Sequence, residues 1–319
     1  MKILFITSTR VGDAILSTGL INHLIASHPG ARITIVCGPA AAPLFEAVPN
    51  LEQIIVLDKM LFSLHWLRLW TLCVGHFWNL VVDLRNAPVT FLLARRRRCG
   101  MPRGGADRRV ERVSKVLDLP EIVAPKLWNS TEGDELAAEF IPDGGPVLAV
   151  GPTANWRAKT WRAEYFANLI ERLTSSDGIL PGARVAVFGC GDERPMALHL
   201  IDAIPEERCI DLIGKLDLLT VFACMKRCAF YVGNDSGLMH LAAASGIPTL
   251  GLFGPTQEAL YAPWGEHTGI VRTEIPFAEI FPENFDHRSS DSLMDSLTVD
   301  MAEDGARKLW RSYKENEAA

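Results

Sequence analysis

Four small polar residues, Asn234, Asp235, Ser236 and Gly237, interrupt the apolar stretch VGNDSGLMHLAAASGIPTLGLFGPT at residues 232 to 256. A strand ends just before them and an apolar helix begins just after. The free N–H groups of a helix start attract anions, phosphate above all. The same residue types also cap helices by accepting those N–H groups, and a cap and an anion site can coexist. A second set, Thr153, Arg157, Lys159 and Trp161 in GPTANWRAKTWRAEYFANLI, follows the strand expected at 147 to 151. Two cations past a strand end suit a diphosphate better than a core, where an unpaired cation is costly; a solvated basic loop is the alternative. A third set, Arg10, Gly12 and Asp13 in STRVGDAILSTGLI, opens the first helix. Gly12 would allow a tight turn with close ligand approach, and Asp13 stands where the helix dipole favours a carboxylate, with or without chemistry. In VFGCGDERP, Asp192 and Glu193 can accept hydrogen bonds from ribose hydroxyls, or Asp192 can cap a helix. Gly254 and Thr256 end another strand at the same kind of edge, whereas His240 reads as a packed helix residue.

These residues need a scaffold that delivers strand ends and helix starts to one edge. Short β-branched runs alternate with helix-period segments, the pattern of parallel sheets covered by helices. Strands are expected at Lys2–Thr7, Ile33–Cys37, Gln53–Leu57 and Leu80–Leu84, then at Val147–Gly151, Arg184–Phe188, Cys209–Asp211, Phe230–Val232 and Thr249–Phe253. Helices are expected from Asp13 to Ser27 and from near Ala163, Glu193, Asp217 and Gly237. The Pro-, Gly- and acid-rich stretch PKLWNSTEGDELAAEFIPDGGPV suits a hinge, giving Rossmann-like domains at 1–135 and 136–319. The last segment, with Ser296 or Thr298 as N-cap, reads as a helix able to pack on either domain.

Composition removes several function classes. A hydrophobic content of 48% with 22% charged residues is that of a globular protein, and the net charge of −6 argues against general nucleic-acid binding. The seven cysteines show no disulfide or zinc spacing, so a reducing cytoplasm and buried thiols at Cys224 and Cys228 are expected. No GxGxxG follows a strand and no GxxxxGK[ST] occurs, which takes the main support from an NAD-dependent oxidoreductase and from a P-loop enzyme. The segment LFSLHWLRLWTLCVGHFWNLVVDLR is broken by His65, Arg68, His76 and Asn79, and reads as an amphipathic helix followed by a strand. The run ARRRRCGMPRGGADRR, with Arg95, Arg96, Arg97 and Arg98 at its head, reads as a basic loop, either merely solvated or facing an anionic acceptor or membrane surface.

Taken together, ILFITSTRVGDAILSTGLINHL, AVGPTANWRAKTWRAEYFANLI, FGCGDE and VGNDSGLMHLAAASGIPTLGLFGPT resemble the family-nine glycosyltransferases, which include the ADP-heptose:lipopolysaccharide heptosyltransferases. The resemblance runs from Met1 to Thr256 and, more weakly, through the last helix. It implies an α/β GT-B architecture, two Rossmann-like domains facing across a cleft, and inverting transfer without metal or cofactor. The donor would be a nucleoside-diphosphate sugar, with ADP-heptose expected from the family. The acceptor would be an anionic glycolipid, reached from the cytoplasm with peripheral contact to the inner membrane. By resemblance Asp13 matches the general base, Lys159 a donor-phosphate contact, Glu193 a ribose contact, and Ser236, Gly237 and Leu238 the diphosphate cradle; Asp235 lies beside the transferred sugar. Thr153 joins the donor side, and Arg10, Gly12 and Arg95 to Arg98 the acceptor side. The segment NFDHRSSDSLMDSL departs from the family's Cys- and His-containing loop, keeping only His287. A non-catalytic nucleotide-sugar-binding scaffold of the same fold is the alternative.

Overall fold

Aliphatic runs form the strands of two all-parallel sheets in a computed structural model that describes every residue except 103, 106, 287 to 289 and 319. The chain divides into two units, Met1–Trp128 and Asn129–Ala319.

In the first unit the order along the chain is β1 (Lys2–Ile6), α1 (Val11–Ser27), β2 (Arg32–Cys37), β3 (Leu51–Val56), α2 (Leu64–Cys73), β4 (Trp78–Asp83), β5 (Arg95–Gly100) and α3 (Arg109–Ser114). The sheet order is β3-β2-β1-β4-β5. β1 is buried almost throughout because it is central and helices cover both faces. Gly19 of α1 is forced by a close crossing, since a Cβ there would stand 2.3 Å from the carbonyl oxygen of Ala124. Lys126 N–H donates to Thr18 Oγ1 at 2.9 Å beside it, tying the end of the unit to its first helix.

The second unit contains α4 (Thr131–Phe140), β6 (Val147–Gly151), α5 (Ala163–Thr174), β7 (Arg184–Val187), α6 (Arg194–Ala203), β8 (Cys209–Asp211), α7 (Leu218–Met225), β9 (Phe230–Asn234), α8 (Gly237–Ser245), β10 (Thr249–Phe253), α9 (Glu258–Tyr261), β11 (Thr268–Arg272) and α10 (Val299–Ala318). Its sheet order is β11-β10-β9-β6-β7-β8. Counted within the unit, that is the doubly wound order, with the strand order reversing between β6 and β9; in the first unit it reverses between β1 and β4. The core joins Phe166 and Leu169 of α5, Val150 and Val232 of the sheet, and Ala302 and Ala306 of α10.

Three features depart from the sequence reading, and a fourth decides an alternative it left open. The run Arg95–Gly100 is the edge strand β5, paired in parallel with β4, and not a loop. Arginine has no strong strand preference, so the local sequence hides the strand; arginines on an edge also discourage pairing with another chain. β11 was not anticipated. The units divide at Trp128 and Asn129, ahead of the 135/136 boundary, because α4 is one continuous helix packed on α7. The last helix lies on α5, β10 and β11 of its own unit, with Thr298 Oγ1 accepting from Met301 N–H at 3.2 Å as its cap.

All seven cysteines are free thiols, and burial pushes Cys224 up to about 12. Among the described residues no helix is long and apolar enough to cross a membrane.

Candidate functional site

In the second unit the chemistry gathers where β6 and β9 end. Asn234, fully buried, does not cap α8 and turns both ends of its amide onto the backbone: its Nδ2 donates to the Pro152 carbonyl at 2.8 Å and its Oδ1 accepts from Trp161 N–H at 3.0 Å. It clamps the two ends of the 152–161 loop. The Trp161 indole donates to the Leu297 carbonyl at 2.8 Å, and Leu293 N–H donates to the Ala158 carbonyl at 3.0 Å. The segment before α10 therefore braces this loop from outside. His287, at its start, lies outside the described residues.

Held in this way, Lys159 Nζ reaches Asp235 Oδ2 at 3.1 Å, with the two side chains only 11% and 9% exposed. Asp235 N–H donates to the Leu252 carbonyl, fixing the turn. Ser236 takes the N-cap position of α8 in extended backbone, but no side chain caps the helix. Ser236, Gly237 and Leu238 are partly exposed, so an uncapped helix start opens beside a buried ion pair. A phosphate there would meet N–H dipoles and a lysine together.

Below this turn the paired residues Gly151 and Gly233 make room for Tyr231. A Cβ at Gly151 would lie 2.1 Å from the phenol oxygen, and one at Gly233 2.4 Å. Burial pushes the Tyr231 phenol well above its ordinary range. Thr153, fully buried, donates to Glu193 Oε2 at 2.6 Å, and Cys190 N–H donates to the same oxygen at 3.3 Å. Thr153 thus orients Glu193 and has no surface of its own for a ligand, while Glu193 Oε1 is left to accept.

In the first unit, Asp13 is the third residue of α1, and Gly12 lies inside its first turn, in helical backbone and not in a tight turn. Arg109 Nε stands 2.9 Å from Asp13 Oδ1, and the Ser8 hydroxyl donates to Asp13 Oδ2 at 3.4 Å. Arg10, just ahead of the helix, is exposed. The arginines of β5 divide in two groups. Arg98 donates to buried Asp83 and to Thr90, both at 2.8 Å, and Arg95 donates to the Phe91 and Leu93 carbonyls. Arg96 and Arg97 are exposed, Arg97 lying 3.8 Å from the exposed Asp118. The sequence reading did not single out Arg109, whose only signal was its place at the end of a basic run. It also passed over Arg85, just past β4, whose guanidinium lies 4.7 Å over the Trp66 ring and which burial holds below the ordinary arginine range against the pull of Asp83.

The family model described as glycosyltransferase family 9 (heptosyltransferase) matches residues 86–283, most of the chain and all of the Lys159–Asp235 site. The chain belongs to glycosyltransferase family 9. Lipopolysaccharide heptosyltransferase 2 of Salmonella typhimurium is 25% identical to this glycosyltransferase over 85% of this chain and 88% of that protein. Lipooligosaccharide heptosyltransferase 2 of Haemophilus influenzae is 35% identical over a shorter stretch, 40% of this chain and 36% of that protein. Among solved structures, a family 9 glycosyl transferase from Veillonella parvula covers 97% of both chains with a TM-score of 0.76 at 19% identity. The E. coli ADP-heptose lps heptosyltransferase II covers 98% of this chain and all of its own with a TM-score of 0.75 at 22% identity. The likeness in fold extends over both Rossmann-like units of the GT-B class.

Proposed function

We propose that this glycosyltransferase moves heptose from ADP-heptose to an anionic glycolipid of the lipopolysaccharide core, with inversion at the anomeric carbon and without a metal, at the cytoplasmic face of a membrane it touches peripherally. The observation that carries the reading is the buried Lys159 held beside the uncapped start of α8. The names of the full-length relatives supply the sugar and the acceptor class.

In this reading an acceptor hydroxyl attacks the anomeric carbon as its bond to the diphosphate breaks, and the bonding pair leaves on the phosphate oxygen. The hydroxyl proton passes to Asp13 Oδ2, the carboxylate oxygen that Arg109 does not hold. Lys159 and the α8 N–H groups take up the charge growing on the diphosphate, the work a divalent cation does elsewhere. Asp235 keeps Lys159 aimed at the helix start and borders the transferred sugar. Glu193, oriented by Thr153, accepts from the ribose, while the exposed Arg10, Arg96 and Arg97 meet acceptor anions.

Calorimetric titration without added metal against ADP, GDP, UDP and NAD tests the donor side. Selective ADP binding is expected, followed by heptose transfer that Asp13→Asn abolishes with ADP affinity unchanged. Selective GDP or UDP binding would replace the donor, and binding of none or of NAD alone would overturn the proposal.

A further inference from the structure

The outward face of α2 carries leucine where a solvent-facing helix normally carries charge. His65, Leu69 and Cys73 point inward, while Leu64 and Leu67 on the other side are 45% and 56% exposed. The turn leading into the helix goes further, with Leu61 81% and Phe62 94% exposed. Phe62 and Ser63 both have left-handed backbone, at φ 52° and 59°, a conformation rare for a bulky residue, and it turns the ring outward.

The turn at Pro88–Leu92 packs beside α2 and adds Phe91 and Leu92, 61% and 72% exposed. Exposed apolar groups of this size on neighbouring elements mark an interaction surface. Its surroundings are basic: residues 59 to 98 hold seven lysines and arginines and one carboxylate, in a chain whose net charge is −6. That single carboxylate, Asp83, is buried under Arg98. Arg95 and Arg98 flank the Phe91 ring, Arg98 at 4.2 Å, and Arg68 and Arg96 are exposed.

We infer that the Leu61–Leu67 turn and helix, with the Phe91–Leu92 turn, form an interfacial docking surface for an anionic phospholipid bilayer. Apolar side chains enter the boundary between headgroups and acyl chains while arginines around them bind lipid phosphates, and each alone gives only weak attachment. Charge complementarity selects the bilayer over a second copy of the chain, whose identical face would oppose arginine to arginine. The inference extends the membrane-facing part of the function proposed above. Its test uses vesicles free of glycolipid and sugar nucleotide, so it can fail without the transferase reading failing.

The experiment is co-sedimentation of the full chain with phosphatidylcholine vesicles, with or without about 30% phosphatidylglycerol, at low and high salt. Binding to the anionic vesicles only, lost at high salt and at least about tenfold weaker in Leu61→Ser/Phe62→Ser, is expected. Both positions are exposed, so the variant should keep the circular dichroism of the parent. Equal pelleting of parent and variant, or no preference for anionic lipid, would overturn the inference. So would a parent that binds no vesicles but is a dimer that the variant breaks, which would give the face to a second copy.

Discussion

Replacing Lys159 by alanine separates two roles the structure gives one side chain. Its ammonium lies 3.1 Å from Asp235, and with the side chains 11% and 9% exposed, water screens the pair weakly. Removing the lysine strands a buried carboxylate, which costs about 3 kcal/mol of stability in the second unit. Adding Asp235→Asn removes the stranded charge and should recover about 2 kcal/mol. Donor binding should behave differently. One charge-assisted hydrogen bond to a phosphate is worth about 1.5–3 kcal/mol, so ADP affinity should fall about 10- to 100-fold in Lys159→Ala and stay low in the double variant. Two units need not unfold together, so hydrogen exchange of the β6 and β9 amides reads stability and calorimetry reads ADP. An ADP affinity within about twofold of the parent, alongside a clear loss of stability, would confine Lys159 to the fold and refute the phosphate role. Unchanged exchange in the single variant would refute the claim that the pair is buried.

Gly151→Ala should cost about 1–3 kcal/mol, because the new methyl would meet the Tyr231 hydroxyl 2.1 Å away, and Tyr231→Phe should restore part of it; a thermal melt of each variant decides. Glu193→Ala should weaken ADP binding more than diphosphate binding, whereas an equal loss of both would take Glu193 away from the ribose. Asp217 caps α7, accepting from Leu219 N–H, Thr220 N–H and the Thr220 hydroxyl, so Asp217→Ala should cost about 1–2 kcal/mol. Burial pushes the Asp217 carboxyl up, but these three donors together hold it below its ordinary value. Its stabilising effect is therefore complete above about pH 4 and lost as pH falls through the lower folded-state value, and urea melts of parent and variant should converge at acid pH.

The motifs that carry chemistry were local, so the chain's order alone exposed them. Strand, polar turn and helix follow each other directly at Asn234–Gly237 and at Thr7–Asp13, and the alternation of apolar runs with helix-period segments announced two parallel sheets. What the residues do there depended on partners far along the chain. Asn234 became a clamp because Pro152 and Trp161 come to it, more than seventy residues away in sequence. Thr153 became a support for Glu193 forty residues on, and Asp13 acquired Arg109 from the end of the same unit. The arginine run shows the limit most plainly. Its composition reads as a basic loop, and only pairing with β4 makes it a strand, with Arg98 turned onto the buried Asp83. Periodicity and turn chemistry act between near neighbours and are written in the sequence, whereas burial, ion pairs and edge strands arise from contacts that exist only once the chain has folded back on itself.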